Sequence, residues 1–233
     1  MSRPTDLVIV GTGGEGRDLH GIVQAINSRA TGDFRWRVLG FVDDYPTEDS
    51  EKLVNRLGVP FLGSTGQLAD VPPGTHVALG VGRPHLRRET DRTVRRYGLP
   101  YATVVHPDAN IGADCVFAEG LVAAGGVRLT TNVVLGRHVH LNHNCTIGHD
   151  SMLGDFVSVS PLAAVSGHCR LDEGVLVGTT AALVPRVRVG RDTVVGAGAC
   201  VTRDVPASMV VTGVPARPRR AVEWVDHGGP GAY

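Results

Sequence analysis

Aromatic residues are scarce: Phe, Trp and Tyr together make up 5% of the 233 residues. The core is therefore expected to be aliphatic. Cysteine is scarce too, and Cys115, Cys145, Cys169 and Cys200 form neither a Cys-x-x-Cys pair nor a zinc-ribbon spacing. That excludes a thiol redox motif and a structural zinc knuckle as readings. The four are expected to be small packed residues with reduced thiols, as in a cytoplasmic protein. No apolar run approaches the ~18 residues of a membrane span. The first residues, MSRPTDLVIVG, pass straight into a short apolar strand and carry no signal-peptide core, which again fits a cytoplasmic protein. Net charge is lacking as well, because 23 basic residues balance 23 acidic ones. A balanced chain is a poor nucleic-acid or membrane-surface binder.

What the chain has in excess is glycine. There are 31 Gly, about 13% against a usual ~7%. Glycine and proline together reach roughly 19%, short of the ~25–30% that marks disorder, and there is no collagen period. A folded chain this rich in glycine needs many tight turns or close backbone approaches.

Residues 1–104 read as alternating strands and helices. Leu7–Val10 is an apolar strand ending at Gly11, and Asp18–Arg29 has helical spacing. Val38–Val42 is a strand ending at Asp43–Asp44, and Val77–Val81 is another. A helix runs from about Pro84 to Tyr97, and Tyr101–Val105 is a last short strand. This alternation predicts a small parallel α/β sheet. The six arginines between Arg83 and Arg96 are expected to form a solvated helix face. Gly11-x-Gly13-x-x-Gly16 falls between a strand and a helix, as a phosphate-binding loop does. Asp43 and Asp44 stand about where a dinucleotide fold keeps its ribose acid. Only one such half fits before residue 105, so a mononucleotide moiety suits it better than a dinucleotide.

From Ile111 onward the period changes. A large apolar residue recurs every six positions from Ile111 to Val201, in sixteen consecutive slots, with Ala123 the only small one. Glycine follows it in seven cases, and small or β-branched residues such as Cys145, Ala163 and Ala181 sit four positions after it. Neither a helix nor an ordinary strand has period six, whereas a hexapeptide β-helix does. Three hexapeptides, 18 residues, would make one triangular coil. Large residues would then stack in columns such as Ile111, Leu129, Ile147, Val165, Leu183 and Val201. At ~4.8 Å between strands the prism would be about 25 Å long. The glycines are expected at the bends.

This pattern resembles the left-handed parallel β-helix acyltransferases. VIVGTGGEGR, FVDD and ALGVGRP before the repeat, and LNHNCTIGHDSMLGDFVSVSP, VGTTAALVP and VVTGVPAR within and after it, narrow the resemblance. Across roughly residues 6–218 the chain looks like the NeuD-type sugar acetyltransferases, which include N-acetyltransferases of nucleotide-linked 4-amino-sugars and sialic-acid O-acetyltransferases. The resemblance implies a small half-Rossmann-like α/β domain for sugar-nucleotide binding (1–104). A left-handed β-helix of hexapeptide repeats would follow for acetyl-CoA and catalysis (105–218), then a loosely ordered tail (219–233). It implies a homotrimer with acetyl-CoA lying between adjacent subunits, and no metal.

Acetyl transfer from a thioester needs a base for the nucleophile's proton and dipoles for the oxyanion. The prism is rich in histidine at His138, His140, His143 and His149. The resemblance puts the base on His149, with Asp150 raising its basicity. Neighbours in a strand point to opposite faces, so Asp150 can assist only if the chain turns there. His143 is expected to be a neighbouring wall residue on the substrate side, with a second catalytic group as the alternative. Acetyl-CoA contacts carried over by position fall on Ser158, Gly167, Thr179 and Ala197. Ser158 stands where some relatives carry histidine, and Ala197 where some carry glycine. Sugar-nucleotide contacts fall on Gly13, Gly14, Glu15, Asp43, Asp44 and Gly82, with Glu15 where relatives often have histidine. The expected activity is acetyl-CoA-dependent N-acetylation of a UDP- or dTDP-linked 4-amino-sugar. O-acetylation of a sialic acid or similar sugar is the alternative within the class. Two further readings are a γ-carbonic-anhydrase-like zinc enzyme recruiting His138, His143 and His149, and a non-catalytic sugar-nucleotide binder.

Overall fold

The computed structural model describes residues 4–30, 32 and 35–223. The chain divides into two compact units. One holds the residues through Pro107 apart from Arg83–His85, and the other holds Arg83–His85 with the residues from Asp108 on.

The first unit is built from β1 (Thr5–Val10), α1 (Gly14–Arg29), β2 (Trp36–Val42), α2 (Glu48–Arg56), β3 (Phe61–Gly63), β4 (His76–Leu79) and the greater part of α3 (Pro84–Val94). Its four-stranded sheet is all parallel, in the order β3-β2-β1-β4. Leu7, Val8, Ile9 and Val10 of β1 are all buried, as a parallel strand covered on both faces requires. The sequence reading had no place for α2 and β3. Helix α2 buries only Val54, so it has little apolar periodicity to read. Its start is instead fixed by a capping box, with Ser50 N–H donating to Thr47 Oγ1 and Thr47 N–H to Ser50 Oγ.

The turn from β1 to α1 depends on glycine for two different reasons. Gly11 has φ of 110°, a conformation side chains rarely adopt. Gly16 passes so close that an added Cβ would lie 2.0 Å from the Gly11 carbonyl oxygen. By contrast, a Cβ on Gly13 or Gly14 would meet nothing within 4 Å. The arginine expectation is corrected at one position. Arg87 is buried and donates from Nη1 to the carbonyls of Val81 (2.7 Å) and Gly82 (3.0 Å). Arg92, Arg95 and Arg96 are exposed, as a solvated face requires.

The second unit is the prism. Among the described residues, sixteen two-residue strands run from Asn110–Ile111 to Cys200–Val201, one per hexapeptide. Every strand pairs in parallel with the strand 18 positions away. The expected column appears in the register: Ile111↔Leu129, Leu129↔Ile147, Ile147↔Val165, Val165↔Leu183 and Leu183↔Val201. Leu129, Ile147, Val165, Leu183 and Val201 are each no more than 2% exposed. Burying each is worth about 1.5–3 kcal/mol relative to leaving it in water.

The glycine expectation needs correction. The bends are made by the residue three after each large one. All fifteen such positions from Asp114 to Gly198 have positive φ, and only Gly120, Gly126, Gly174 and Gly198 among them are glycine. Asp114, Asn132, Asn144, Asp150 and Asp192 are of the types that tolerate this conformation best. The glycines after the large residues do something else, which is to admit the next coil. A Cβ on Gly112 would lie 1.6 Å from the Thr130 carbonyl oxygen, and one on Gly148 2.5 Å from the Gly167 nitrogen.

The tail expectation is also corrected at its start. Arg217–Ala221 forms an exposed strand antiparallel to Met209–Thr212, which in turn pairs with Val194–Val195. The pairing satisfies backbone groups that a loose tail would leave to water. Residues 224–233 of the expected tail lie outside the described residues.

Candidate active site

His149 follows strand Thr146–Ile147, and Asp150 occupies the next bend with φ of 60°. The turn the sequence required is therefore present. It brings Asp150 Oδ2 to 2.6 Å from His149 Nδ1. One coil below, Asn132 donates from Nδ2 to Asp150 Oδ1 at 2.7 Å. One coil above, His168 Nε2 lies 3.4 Å from the same Oδ2. Its ring stands edge-on to that of His149, 5.1 Å away at 87°. The hydrogen bonds from His149 first, and from Asn132 next, hold the Asp150 carboxyl below its ordinary range. An ionised carboxylate only accepts, so Nδ1 of His149 is the donor to Asp150, and in a neutral ring the lone pair then lies on Nε2.

Gly167, one coil above His149, faces the imidazole. A Cβ there would come within 2.7 Å of His149 Nε2. The backbones interlock as well, with His168 N–H donating to the His149 carbonyl at 2.7 Å. His168 and Asn132 were missed in the sequence. Both lie 18 positions from Asp150, and comparing positions one coil apart would have found them.

The other expected residues fall in different places. His143, Thr179 and Ala197 are exposed and share one hexapeptide slot, at intervals that are multiples of 18. Ser158 is 2% exposed, on a strand beside His140 and Leu176. Gly167 belongs to the corner of His149. Of the four positions assigned to acetyl-CoA, then, only Thr179 and Ala197 form a line along one edge. His138 is buried and stacks on Phe156 at 5.4 Å, while His143 is exposed.

In the first unit, Gly13 caps α1 with no side-chain hydrogen bond. The carboxylates of Asp43 and Asp44 hold loops together. Asp43 Oδ2 accepts from Thr12 N–H and Thr12 Oγ1, and its Oδ1 accepts from Tyr45 N–H. Asp44 accepts from the amide and hydroxyl of Thr65. Glu15 sits beside Gly82 and acts electrostatically on buried Arg87, opposing the lowering of its pKa by burial.

Comparison with known proteins finds relatives over most of the chain. Residues 6–93 match the PglD N-terminal domain. GDP-perosamine N-acetyltransferase of Escherichia coli O157:H7 is 27% identical over 216 residues, covering 90% of this chain and 94% of the relative. A solved histidine-to-asparagine variant of perosamine N-acetyltransferase from Caulobacter crescentus, in complex with CoA and GDP-perosamine, superposes with a TM-score of 0.83. Its identity is 27%, over 92% of this chain and 97% of that one. The acetyltransferase domain of PglB from Neisseria gonorrhoeae FA1090, in complex with acetyl coenzyme A, gives 0.78 at 27% identity, over 93% and 100%. The fold and site thus define an acyltransferase with a small α/β domain and a left-handed β-helix. Within that class, the chain is similar to the GDP-perosamine N-acetyltransferases and to the acetyltransferase domain of PglB, as the NeuD-type resemblance implies.

Proposed function

We propose that this protein transfers an acetyl group from acetyl-CoA to the amine of a nucleotide-linked 4-amino-sugar, with His149 as general base. The observation that carries this reading is the 2.6 Å contact between His149 Nδ1 and Asp150, which directs the basic Nε2 away from its carboxylate. The sugar's amine attacks the thioester carbonyl, forming the C–N bond, and His149 Nε2 takes its proton. The C–S bond then breaks, and the CoA sulfur leaves with that proton. Asp150 holds the tautomer and offsets the charge on the imidazolium. The start of α1, where a Cβ on Gly13 or Gly14 would meet nothing within 4 Å, leaves room for a ligand and supports a phosphate-binding role for that loop.

The solved relatives hold a GDP-linked amino-sugar. GDP-linked acceptors therefore join the UDP- and dTDP-linked ones as candidates. A homotrimer is supported by one apolar column on the prism surface, where Val116, Val134 and Met152 of successive coils are 62%, 37% and 43% exposed. No described helix is long and apolar enough to cross a membrane.

The test is mass spectrometry of products from acetyl-CoA and GDP-, UDP- and dTDP-linked 4-amino-sugars, with native and His149→Ala protein. An N-acetylated product is expected, with kcat reduced ~10²–10⁴-fold in the variant and the oligomer intact. An unchanged kcat in the variant, or acetylation of a hydroxyl, would refute the assignment.

A further inference from the structure

The corner of His149, Asp150 and His168 has a second chemical capacity. We propose that it binds one divalent late first-row metal ion, of the zinc type, as an inhibitor rather than a cofactor. Among the described residues, these three form the one group of His, Cys, Asp or Glu whose ligand atoms all lie within 4.8 Å of one another. Both imidazoles aim a nitrogen at the same oxygen, Asp150 Oδ2, from 2.6 Å and 3.4 Å. Two nitrogens converging on one carboxylate oxygen is the arrangement of a metal site in which a proton stands in for the metal.

Zinc–ligand bonds of ~2.0–2.1 Å in a tetrahedron put ligand atoms roughly 3.3 Å apart. His168 and Asp150 already have that separation. His149 needs to withdraw by about 0.7 Å to reach it. Its side chain is 53% exposed and has room to do so. Asn132 holds the other carboxylate oxygen, the outer support that metal-binding carboxylates use. Two imidazoles and one carboxylate favour zinc, cobalt, nickel or copper over magnesium or calcium. The three side chains are each at least 35% exposed, so water completes the coordination.

The inhibition follows from one atom. A metal on Nδ1 of His149 replaces the proton there. The neutral ring then carries its proton on Nε2 and has no lone pair for the substrate. This half rests on His149 being the base, whereas binding itself does not.

The experiment titrates cobalt(II), followed by visible absorption, and zinc, followed by calorimetry, into the native full-length protein and His168→Asn. Asparagine suits the positive φ of 59° at position 168, so the bend survives. One ion per chain is expected, with at least tenfold weaker binding in the variant. Zinc should stop acetyl transfer by the native protein and release it on chelation. The variant should resist zinc, each rate being taken relative to the same protein without metal. No saturable binding, equal binding by His168→Asn, or a cobalt–thiolate absorption band would overturn the site. Binding as described without any slowing of transfer would leave the site standing and refute the inhibition.

Discussion

Gly167→Ala separates the placement of the base from the stability of the fold. The new Cβ would lie 2.7 Å from Nε2, 2.8 Å from Cε1 and 3.1 Å from Cδ2 of His149. Ordinary contact begins at about 3.5 Å, so the ring must retreat by roughly 0.8 Å. That displacement either breaks the bond to Asp150 or swings Nε2 off its line to the substrate. A misplacement of about 1 Å in a positioned group costs ~10²-fold in rate, or about 2.7 kcal/mol of barrier. The fold should hardly notice. Gly167 does not have positive φ, and the atoms it would touch end an exposed, movable side chain. Removing backbone freedom from the unfolded chain is worth ~0.4–1 kcal/mol in the opposite direction. The assay is CoA thiol release under saturating substrates, beside a thermal melt and the double variant His149→Ala/Gly167→Ala. A kcat drop of about 10² with Tm changed by only a few degrees is expected. The double variant should be no slower than His149→Ala alone. If Gly167→Ala leaves kcat untouched, or slows the double variant by its own full factor, its effect does not pass through His149.

Other expectations follow from the same packing. Gly148→Ala differs from its neighbour because its Cβ would press on the backbone nitrogen of Gly167, which cannot retreat; it should lower Tm clearly. Ile147→Ala removes a fully buried side chain from the middle of a column and should cost about 2–5 kcal/mol in denaturant unfolding. Burial pushes the Cys145 thiol up to about 12, so it stays protonated through neutral and mildly alkaline pH. Alkylation followed by peptide mass spectrometry should mark Cys115 and Cys200 and leave Cys145 unmodified in the folded protein. Asp43→Asn weakens the acceptor for both groups of Thr12. It should raise KM for the sugar nucleotide with little change in kcat, and an unchanged KM would detach this loop from substrate binding.

Much of the prism was legible because its core repeats a local rule: large residues every six positions can only stack as they do. The bends were misread for a physical reason. Glycine alone does not mark a bend, because Phe156, Leu162, Thr180 and Arg186 all adopt positive φ there. There the repeated coil-to-coil hydrogen bonds outweigh a local cost of ~1–2 kcal/mol per residue. His149 and Asp150 were reached through the family motif and the turn that joins them. His168 and Asn132 stayed hidden because they adjoin Asp150 only after a full coil. The partners of Asp43 and Asp44 were out of reach too. Thr12 and Thr65 meet them through the arrangement of the sheet, which the local pattern does not encode.

The prism carries two periods, and they constrain the gene differently. Inward stacking needs only phase six, so one extra hexapeptide between Asp150 and His168 would leave every large residue pointing inward. It would also move His168 to a neighbouring edge of the triangle and dismantle the cluster. An extra 18 residues would return His168 to the right edge, but one rung further from Asp150. Insertions that the fold accepts can therefore abolish the chemistry outright. The distance from Asn132 through Asp150 to His168 is fixed as a count of residues, much as a reading frame is.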